Sequence, residues 1–251
     1  MSKDFNVINF LSDDERSQRA NLAQMLKECP IPQSEILDNL GVFMTSKTWS
    51  RLRFMELLYE KIVELPGVVM ELGTRWGQNL SLFSVLRGIH EPFNRHRKLI
   101  GFDTFAGFPY TTEHDGTCPI MSSGGYSTSK GYEHFLSAVM ELHEMENPLP
   151  HIKKYELIKG DAVETVPQYL KDNPETIIAL AYFDFDLYEP TKKCLEAIRP
   201  RLVKGSVLAF DELNEHSTPG ETLAVMDVFG LNNLALRRSR FTSRTAYCVI
   251  E

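Results

Sequence analysis

Apolar positions recur at helical spacing early in the chain and at strand spacing later. Leu52, Met55, Leu58, Ile62 and Leu65 repeat every three or four residues through "WSRLRFMELLYEKIVEL", predicting a helix that Pro66 and Gly67 end. Upstream, Ser12 before "DDER" reads as an N-cap with acids in the first turn. "NLAQMLKEC" continues that helix until Pro30 and Pro32 break it. Residues 1–65 are therefore expected to be a helical segment packing on the core.

From residue 66 to 251 short apolar runs alternate with helical stretches. "GVVMELG" (67–73), "KLIGFD" (98–103), "YELIKGD" (155–161), "TIIALAYFDFD" (176–186) and "GSVLAFDE" (205–212) read as strands, with "TAYCVIE" as a last one. "QNLSLFSVLRGI", "YEHFLSAVMELHEM", "VPQYLKDN" and "EPTKKCLEAIRPRL" read as the helices between them. The alternation predicts βαβ units and a parallel sheet with right-handed crossovers. One stretch breaks the rhythm: "FPYTTEHDGTCPIMSSGGYSTSKGY", an insertion over about 109–131, is long and rich in Gly, Ser and Thr. A loop of that length suits a mobile lid.

Charge and composition narrow the classes. The net charge of −7 argues against a nucleic-acid partner. The short basic runs "RHRK" (95–98) and "RRSR" (237–240) read as solvated loop or strand edge. No apolar run reaches membrane-spanning length and no secretory h-region is visible. Cys29, Cys118, Cys194 and Cys248 form no CxxC pair, so the expectation is a reduced cytoplasmic chain without a zinc site. A homo-oligomer is compatible with all of this.

Every predicted strand ends in an acid or is followed closely by one: Glu71, Asp103, Asp161, the pair Asp184 and Asp186, and the pair Asp211 and Glu212. In an open parallel sheet the carboxyl ends of the strands form the ligand edge. "ELGTRWG" sets Glu71, Gly73 and Gly77 in an E-x-G-x-x-x-G pattern rather than the G-x-G-x-x-G of a dinucleotide site. A glycine turn beside carboxylates suits a ligand with a cationic end, and S-adenosylmethionine is the common one. Asp103 would accept hydrogen bonds from ribose hydroxyls. Asp161 and Ala162 would read the adenine amino group.

Residues two apart on an extended strand share a face, so Asp184 and Asp186 are expected to point together, with Asp211 and Glu212 arriving from the next strand. Such an oxygen-only donor set suits Mg²⁺. Structural roles compete: Asp186 capping the helix at "YEPTKK", and Glu212 pairing with a lysine.

"FDTFAGFP", "GDAVETVP", "YFDFDLYEPTKKCLEAIRPRLVKGSVLAFDE" and "PGETLAV" together resemble the macrocin O-methyltransferase (TylF-like) family, over roughly residues 40–251. The resemblance implies a Rossmann-like class I methyltransferase fold, with a mostly parallel seven-stranded sheet and helices on both faces. It also implies dependence on S-adenosylmethionine and Mg²⁺, and a sugar or glycosylated natural product as acceptor. By resemblance Asp184, Asp211 and Glu212 are metal ligands and Asp186 is the general base. Glu71, Gly73, Gly77, Asp103 and Asp161 then line the cofactor site, and Met44 and Thr45 in "FMTSKTWSRL" touch the cofactor. Two departures stand out. Glu212 replaces an Asp that many members carry, and "ELGTRWGQN" replaces their usual glycine turn. A catechol-type methyltransferase, a metal-dependent hydrolase and a non-catalytic nucleotide-binding module are the competing readings. His114 and His216 in polar loops read as solvent-exposed, with a histidine base as the alternative to Asp186.

Overall fold

A computed structural model describes residues 12–118 and 121–251; residues 1–11, and Pro119 and Ile120 within the expected lid, lie outside that description. The strands are β1 (Val68–Leu72), β2 (Leu99–Asp103), β3 (Tyr155–Lys159), β4 (Ile178–Phe183), β5 (Leu202–Phe210), β6 (Arg237–Arg238) and β7 (Ala246–Val249). The helices are α1 (Asp13–Lys27), α2 (Ser46–Glu60), α3 (Gln78–His90), α4 (Tyr132–Glu146), α5 (Ala162–Asp172), α6 (Tyr188–Ile198) and α7 (Gly220–Phe229). One seven-stranded sheet runs β3-β2-β1-β4-β5-β7-β6. Its first five strands pair in parallel, while β7 runs antiparallel to both β5 and β6. The mostly parallel seven-stranded sheet with helices on both faces is the architecture that the resemblance implies.

The strands are apolar on both faces because helices cover both. Leu180 and Tyr182 of β4 turn towards α2 and α3, joining Phe54, Met55, Leu58, Leu80 and Phe83. Ala181 and Phe183, one residue out of phase, turn towards α5, α6 and α7 with Val166, Leu195 and Val225. The α1 N-terminus carries a full capping box, with Ser12 and Glu15 each satisfying the other's backbone N–H. Yet α1 buries none of its side chains.

Two segments depart from the sequence expectations and a third fits them. α7 is a helix although "GETLAVMDVF" shows no clear helical period, with Ala224 and Val225 buried and Met226 exposed. β6 is a two-residue edge formed by Arg237 and Arg238, both exposed, which fits the strand-edge reading of "RRSR". "RHRK" is only half a solvated loop: Arg95 is exposed, but Arg97 is 1% exposed. The Arg97 guanidinium donates to the carbonyls of Ile62 (2.8 Å), Leu65 (2.7 Å) and Gly67 (2.5 Å), where the chain turns from α2 into β1. Its charge is met by Glu91 at 2.8 Å, and Glu91 also accepts from the Tyr59 hydroxyl at 2.7 Å. Carbonyls beyond a helix end need partners once buried, and Arg97 supplies three.

Removing Arg97 leaves Glu91 charged and buried beside three unpartnered carbonyls. Arg97→Met should lower unfolding stability by about 3–5 kcal/mol in urea titration, with exposed Arg95→Met within about 0.5 kcal/mol of the parent. Equal, small effects for the two would refute this account.

Candidate active site

A cavity of about 300 Å³ opens at the carboxyl edge of the sheet. Gly73, Asp103, Asp161, Ala162, Asp184, Asp186, Asp211 and Glu212 all line it. Four other expected residues do not. Glu71 is buried beneath the floor, Gly77 begins α3, Thr45 caps α2 by accepting from the Thr48 N–H at 3.2 Å, and Met44 precedes it, exposed.

On the β1–β3 half, the glycine turn is fixed by close approach. Gly73 has φ +101, and a Cβ there would stand 2.2 Å from the Asp184 carbonyl oxygen. Each Asp103 oxygen accepts one backbone N–H, from Arg75 at 2.7 Å and from Phe105 at 2.5 Å. Burial pushes the Asp103 pKa up, and these two donors hold it back. Each oxygen keeps a further lone pair for a ligand hydroxyl. Asp161 caps α5 through the Val163 N–H at 3.0 Å, which places Ala162 against the cavity. Glu71 is raised well above the carboxylate range by burial and then by Asp184, and its Oε2 has no hydrogen-bond partner.

The doubled acids converge differently from the strand argument. β4 ends at Phe183, so Asp184 and Asp186 lie in the turn beyond it. Asp184 still bonds back to β1, its N–H reaching the Leu72 carbonyl at 2.8 Å. Asp186 sits at φ +60, the left-handed region that a non-glycine residue seldom occupies. A strained turn, rather than strand alternation, brings both side chains to the cavity. Asp186 does not cap α6. The Tyr188 N–H at that helix start is taken by Asp115 Oδ1 at 2.6 Å, from the insertion, so the Asp186 carboxyl is free of that duty. The same contact ties the insertion down: Asp115 is buried and His114 stacks on Tyr188 with ring centres 4.6 Å apart.

Asp211 and Glu212 are met by arginines, not by a lysine. Arg51 of α2 stands 3.0 Å from Asp211 and 3.8 Å from Asp184. The Tyr182 hydroxyl donates to Asp211 at 2.7 Å and accepts from Arg51 at 3.1 Å. Arg244, just before β7, pairs with Glu212, which also accepts from the Thr218 hydroxyl. Glu221 of α7 lies behind the acids, fully buried, and accepts from the backbone N–H groups of Phe185 (3.2 Å) and Glu212 (3.1 Å). It fixes the two acidic turns relative to each other.

Burial and mutual repulsion push Asp184, Asp186, Glu212 and Glu221 upward. Asp184 is raised by burial and then Asp211, with Arg51 opposing. Asp186 is raised by burial, then Glu212 and Asp184. Glu212 is raised by burial against the pull of Arg244, and Glu221 by burial and then Asp186. Asp184, Asp211 and Glu212 offer hard oxygen donors and excess negative charge, which fit Mg²⁺ in kind. Among the described residues, however, no three His, Cys, Asp or Glu side chains are gathered as a metal site. Arg51, against Asp211 and Asp184, and Arg244, against Glu212, already engage all three donors.

Nothing in the sequence pattern singles out Arg51, Arg244 or Glu221, because a polar helix position or loop residue carries no sign of its partner. One trace was readable: Tyr182 sits inside an apolar strand, and a buried tyrosine hydroxyl needs a partner. Tyr126 was also missed; it lines the cavity from the insertion, with the Arg75 guanidinium 4.6 Å from its ring centre.

Residues 35–227 match the family model described as macrocin-O-methyltransferase (TylF). No curated protein sequence matches the chain. Among solved structures, the calicheamicin methyltransferase CalS11 is 41% identical, with a TM-score of 0.94 over 99% of this chain and 97% of that one. An apo structure described as a TDP-rhamnose 3'-O-methyltransferase of calicheamicin biosynthesis is 39% identical, with a TM-score of 0.85 over 98% and 99%. The O-methyltransferase NovP is 20% identical (TM-score 0.61, covering 80% of this chain and 79% of that one) and shares the fold.

The raised carboxyls fix the sign of a pH effect. A group whose folded pKa exceeds its unfolded value of about 4 holds more protons folded, so stability falls as pH rises through that window. In chelator, the Tm should therefore drop between pH 5 and pH 8, with a shallower slope in Asp184→Asn. A Tm that rises across this range, or an unchanged slope in the variant, would contradict the assignment.

Proposed function

This chain belongs to the macrocin O-methyltransferase family and is an O-methyltransferase, and on that footing we propose that it uses S-adenosylmethionine and Mg²⁺ to methylate a hydroxyl of a sugar or glycosylated natural product. The observation that carries the reading is the shared cavity. Asp103, Asp161 and Ala162 line one half of it, and Asp184, Asp186, Asp211 and Glu212 line the other. CalS11, the calicheamicin methyltransferase of both structures named above, is described as a TDP-rhamnose 3'-O-methyltransferase, which supports a sugar acceptor. The enzyme would work in the cytoplasm without a nucleic-acid or membrane partner.

S-adenosylmethionine, when bound, supplies an electrophilic sulfonium methyl. Asp103 would hold its ribose hydroxyls, Asp161 and Ala162 would face its adenine, and the Gly73–Gly77 turn would pass its amino-acid end, with Glu71 beneath. Met44 and Thr45 would close over it. Asp184, Asp211 and Glu212 would hold Mg²⁺, a Lewis acid that lowers the pKa of a bound hydroxyl. Asp186 takes the hydroxyl proton. An ordinary carboxylate with a pKa of about 3.9 is a weak base, but burial and neighbouring carboxylates raise Asp186 towards the range a base needs. Glu221 keeps the Asp186 turn in register with Glu212. Residues 1–65 would serve as the helical cover, residues 66–251 as the catalytic domain and residues 109–131 as the acceptor-side lid.

A second reading follows from the arginine pairs. Arg51 and Arg244 already neutralise part of the acidic cluster, so they would stand in the cation's place in a metal-independent enzyme. EDTA separates the two: transfer that stops in chelator and returns with Mg²⁺ supports the metal reading, and unchanged transfer supports the arginines.

Mass spectrometry of a sugar and glycoside panel incubated with labelled S-adenosylmethionine should find a single added methyl. Asp186→Asn should reduce transfer by about 10²–10⁴-fold, with donor affinity within about tenfold of the parent. Loss of donor binding in that variant would make Asp186 a binding residue, and a pH-rate limb near 6.5 abolished by His216→Ala would move the base to histidine.

A further inference from the structure

The insertion between β2 and α4 is tied at two places, and the ties fall on different halves of the cavity. Its first arm meets the acid side. Asp115 accepts the Tyr188 N–H at the start of α6 at 2.6 Å, and a Cβ on Gly116 would collide with the Ser217 carbonyl oxygen. Its second arm lies on the loop after β2. The Phe108 N–H donates to the Gly125 carbonyl at 2.9 Å, and the Gly124 N–H returns to the Phe108 carbonyl at 2.8 Å. The Thr128 hydroxyl donates to the Phe105 carbonyl at 2.9 Å. Gly107 permits this approach, since a Cβ there would collide with the Gly125 carbonyl oxygen.

Tyr126 completes the second arm and lines the cavity. It is held at φ +59 against Arg75 at φ +47, both in the left-handed region that non-glycine residues seldom occupy. The Arg75 guanidinium lies 4.6 Å from the Tyr126 ring centre, and the Phe108 ring stands nearly perpendicular to that ring at 5.4 Å. Arg75 Nε is buried and makes no hydrogen bond, so the guanidinium is held chiefly through the rings of Tyr126 and Trp76. Burial, then Asp186 and Glu212, keep the phenol above the ordinary tyrosine range against Arg75, so the ring stays neutral beside the cation. The Arg75 N–H donates to Asp103 Oδ2 at 2.7 Å, which links the stack to the carboxylate assigned to the ribose. Strained residues of this kind persist where neighbours over-determine them, and they gather at ligand clamps.

We propose that Tyr126 is a donor-positioning residue: its ring, seated on Arg75, clamps the insertion onto the glycine turn and closes the outer wall of the S-adenosylmethionine half of the cavity. The assignment rests on the methyltransferase reading of this cavity. The contacts separate donor from acceptor. Tyr126 packs on the loops after β1 and β2, which carry Gly73 and Asp103, whereas the first arm meets α6 just beyond the acidic turn after β4. A donor held by Asp103 steadies the Arg75 turn, and through the stack it steadies the pairing of Phe108 with Gly124 and Gly125.

Calorimetry with S-adenosylhomocysteine and hydrogen exchange on the full chain test it. Tyr126→Phe keeps the ring and should bind within about threefold of the parent, whereas Tyr126→Leu keeps bulk without a π face and should bind about tenfold more weakly. Arg75→Met keeps the N–H that Asp103 accepts, should bind at least as weakly as Tyr126→Leu, and should lose little more when Tyr126→Leu is added. In the parent, bound S-adenosylhomocysteine should slow exchange of the Phe108 and Gly124 amides at least about tenfold, and Tyr126→Leu should lose most of that protection. Equal binding by the Phe and Leu variants would overturn the proposal, as would independent, additive losses for Arg75→Met and Tyr126→Leu. So would unchanged S-adenosylhomocysteine affinity in Tyr126→Leu with a raised acceptor KM, which would give the tyrosine to the acceptor. A parent that binds no S-adenosylhomocysteine would sink the methyltransferase reading as well, which the other outcomes leave standing.

Discussion

Repulsion among buried carboxyl groups is the constraint on which the site depends. Glu71, Asp184, Asp186, Asp211, Glu212 and Glu221 gather at one edge of the sheet, and five of them are raised above the ordinary carboxylate range. Opposite charge reaches them from two places far apart in sequence, Arg51 on α2 and Arg244 before β7. Neither arginine is fully buried, so the compensation is partial and open to competition from a bound cation. A folded chain holding this much like charge gives up stability at neutral pH, the pattern that marks a candidate functional site.

The scaffold holds the acidic turns in place through carboxylates that accept from backbone N–H groups. Glu221 ties the β4 and β5 turns together through two N–H groups, and Gly220 lets α7 approach that turn, since a Cβ there would stand 2.8 Å from the Asp186 carbonyl oxygen. Asp115 takes over the N-terminus of α6 from the other side. Asp186 is thereby held at a left-handed φ with its carboxyl committed to no cap. The turn is strained because three neighbours over-determine it, which suits a residue that must present one group to a ligand.

Much of this was legible in the chain. The period-two and period-three-to-four patterns place the principal strands and all helices except α7, and the acids at successive strand ends mark the sheet edge where the cavity opens. What stayed hidden was pairing across distance. Arg51 lies among the polar positions of an amphipathic helix, where a solvated role looks the same as a buried ion pair. Arg97 sits in a run of four basic residues, three of which are ordinary surface. The strand argument brought Asp184 and Asp186 to one cavity by the wrong geometry, since β4 stops at Phe183 and a turn carries both residues. Short-range rules describe what a residue does to its own backbone; they are silent about which distant carbonyl or carboxylate it will meet.

Helix α2 shows how one element can serve both halves of the problem. Its buried face, through Phe54, Met55 and Leu58, fixes its position on the sheet. Arg51 then falls against Asp211 and Asp184, and the helical repeat sets Lys47 one turn further out, at the mouth. Movement of the first turn of α2 would change the charge facing the acids and the charge facing an incoming ligand together. Arg51 and Lys47 share one helical face, and the apolar anchor of α2 leaves the two cations little freedom to move independently.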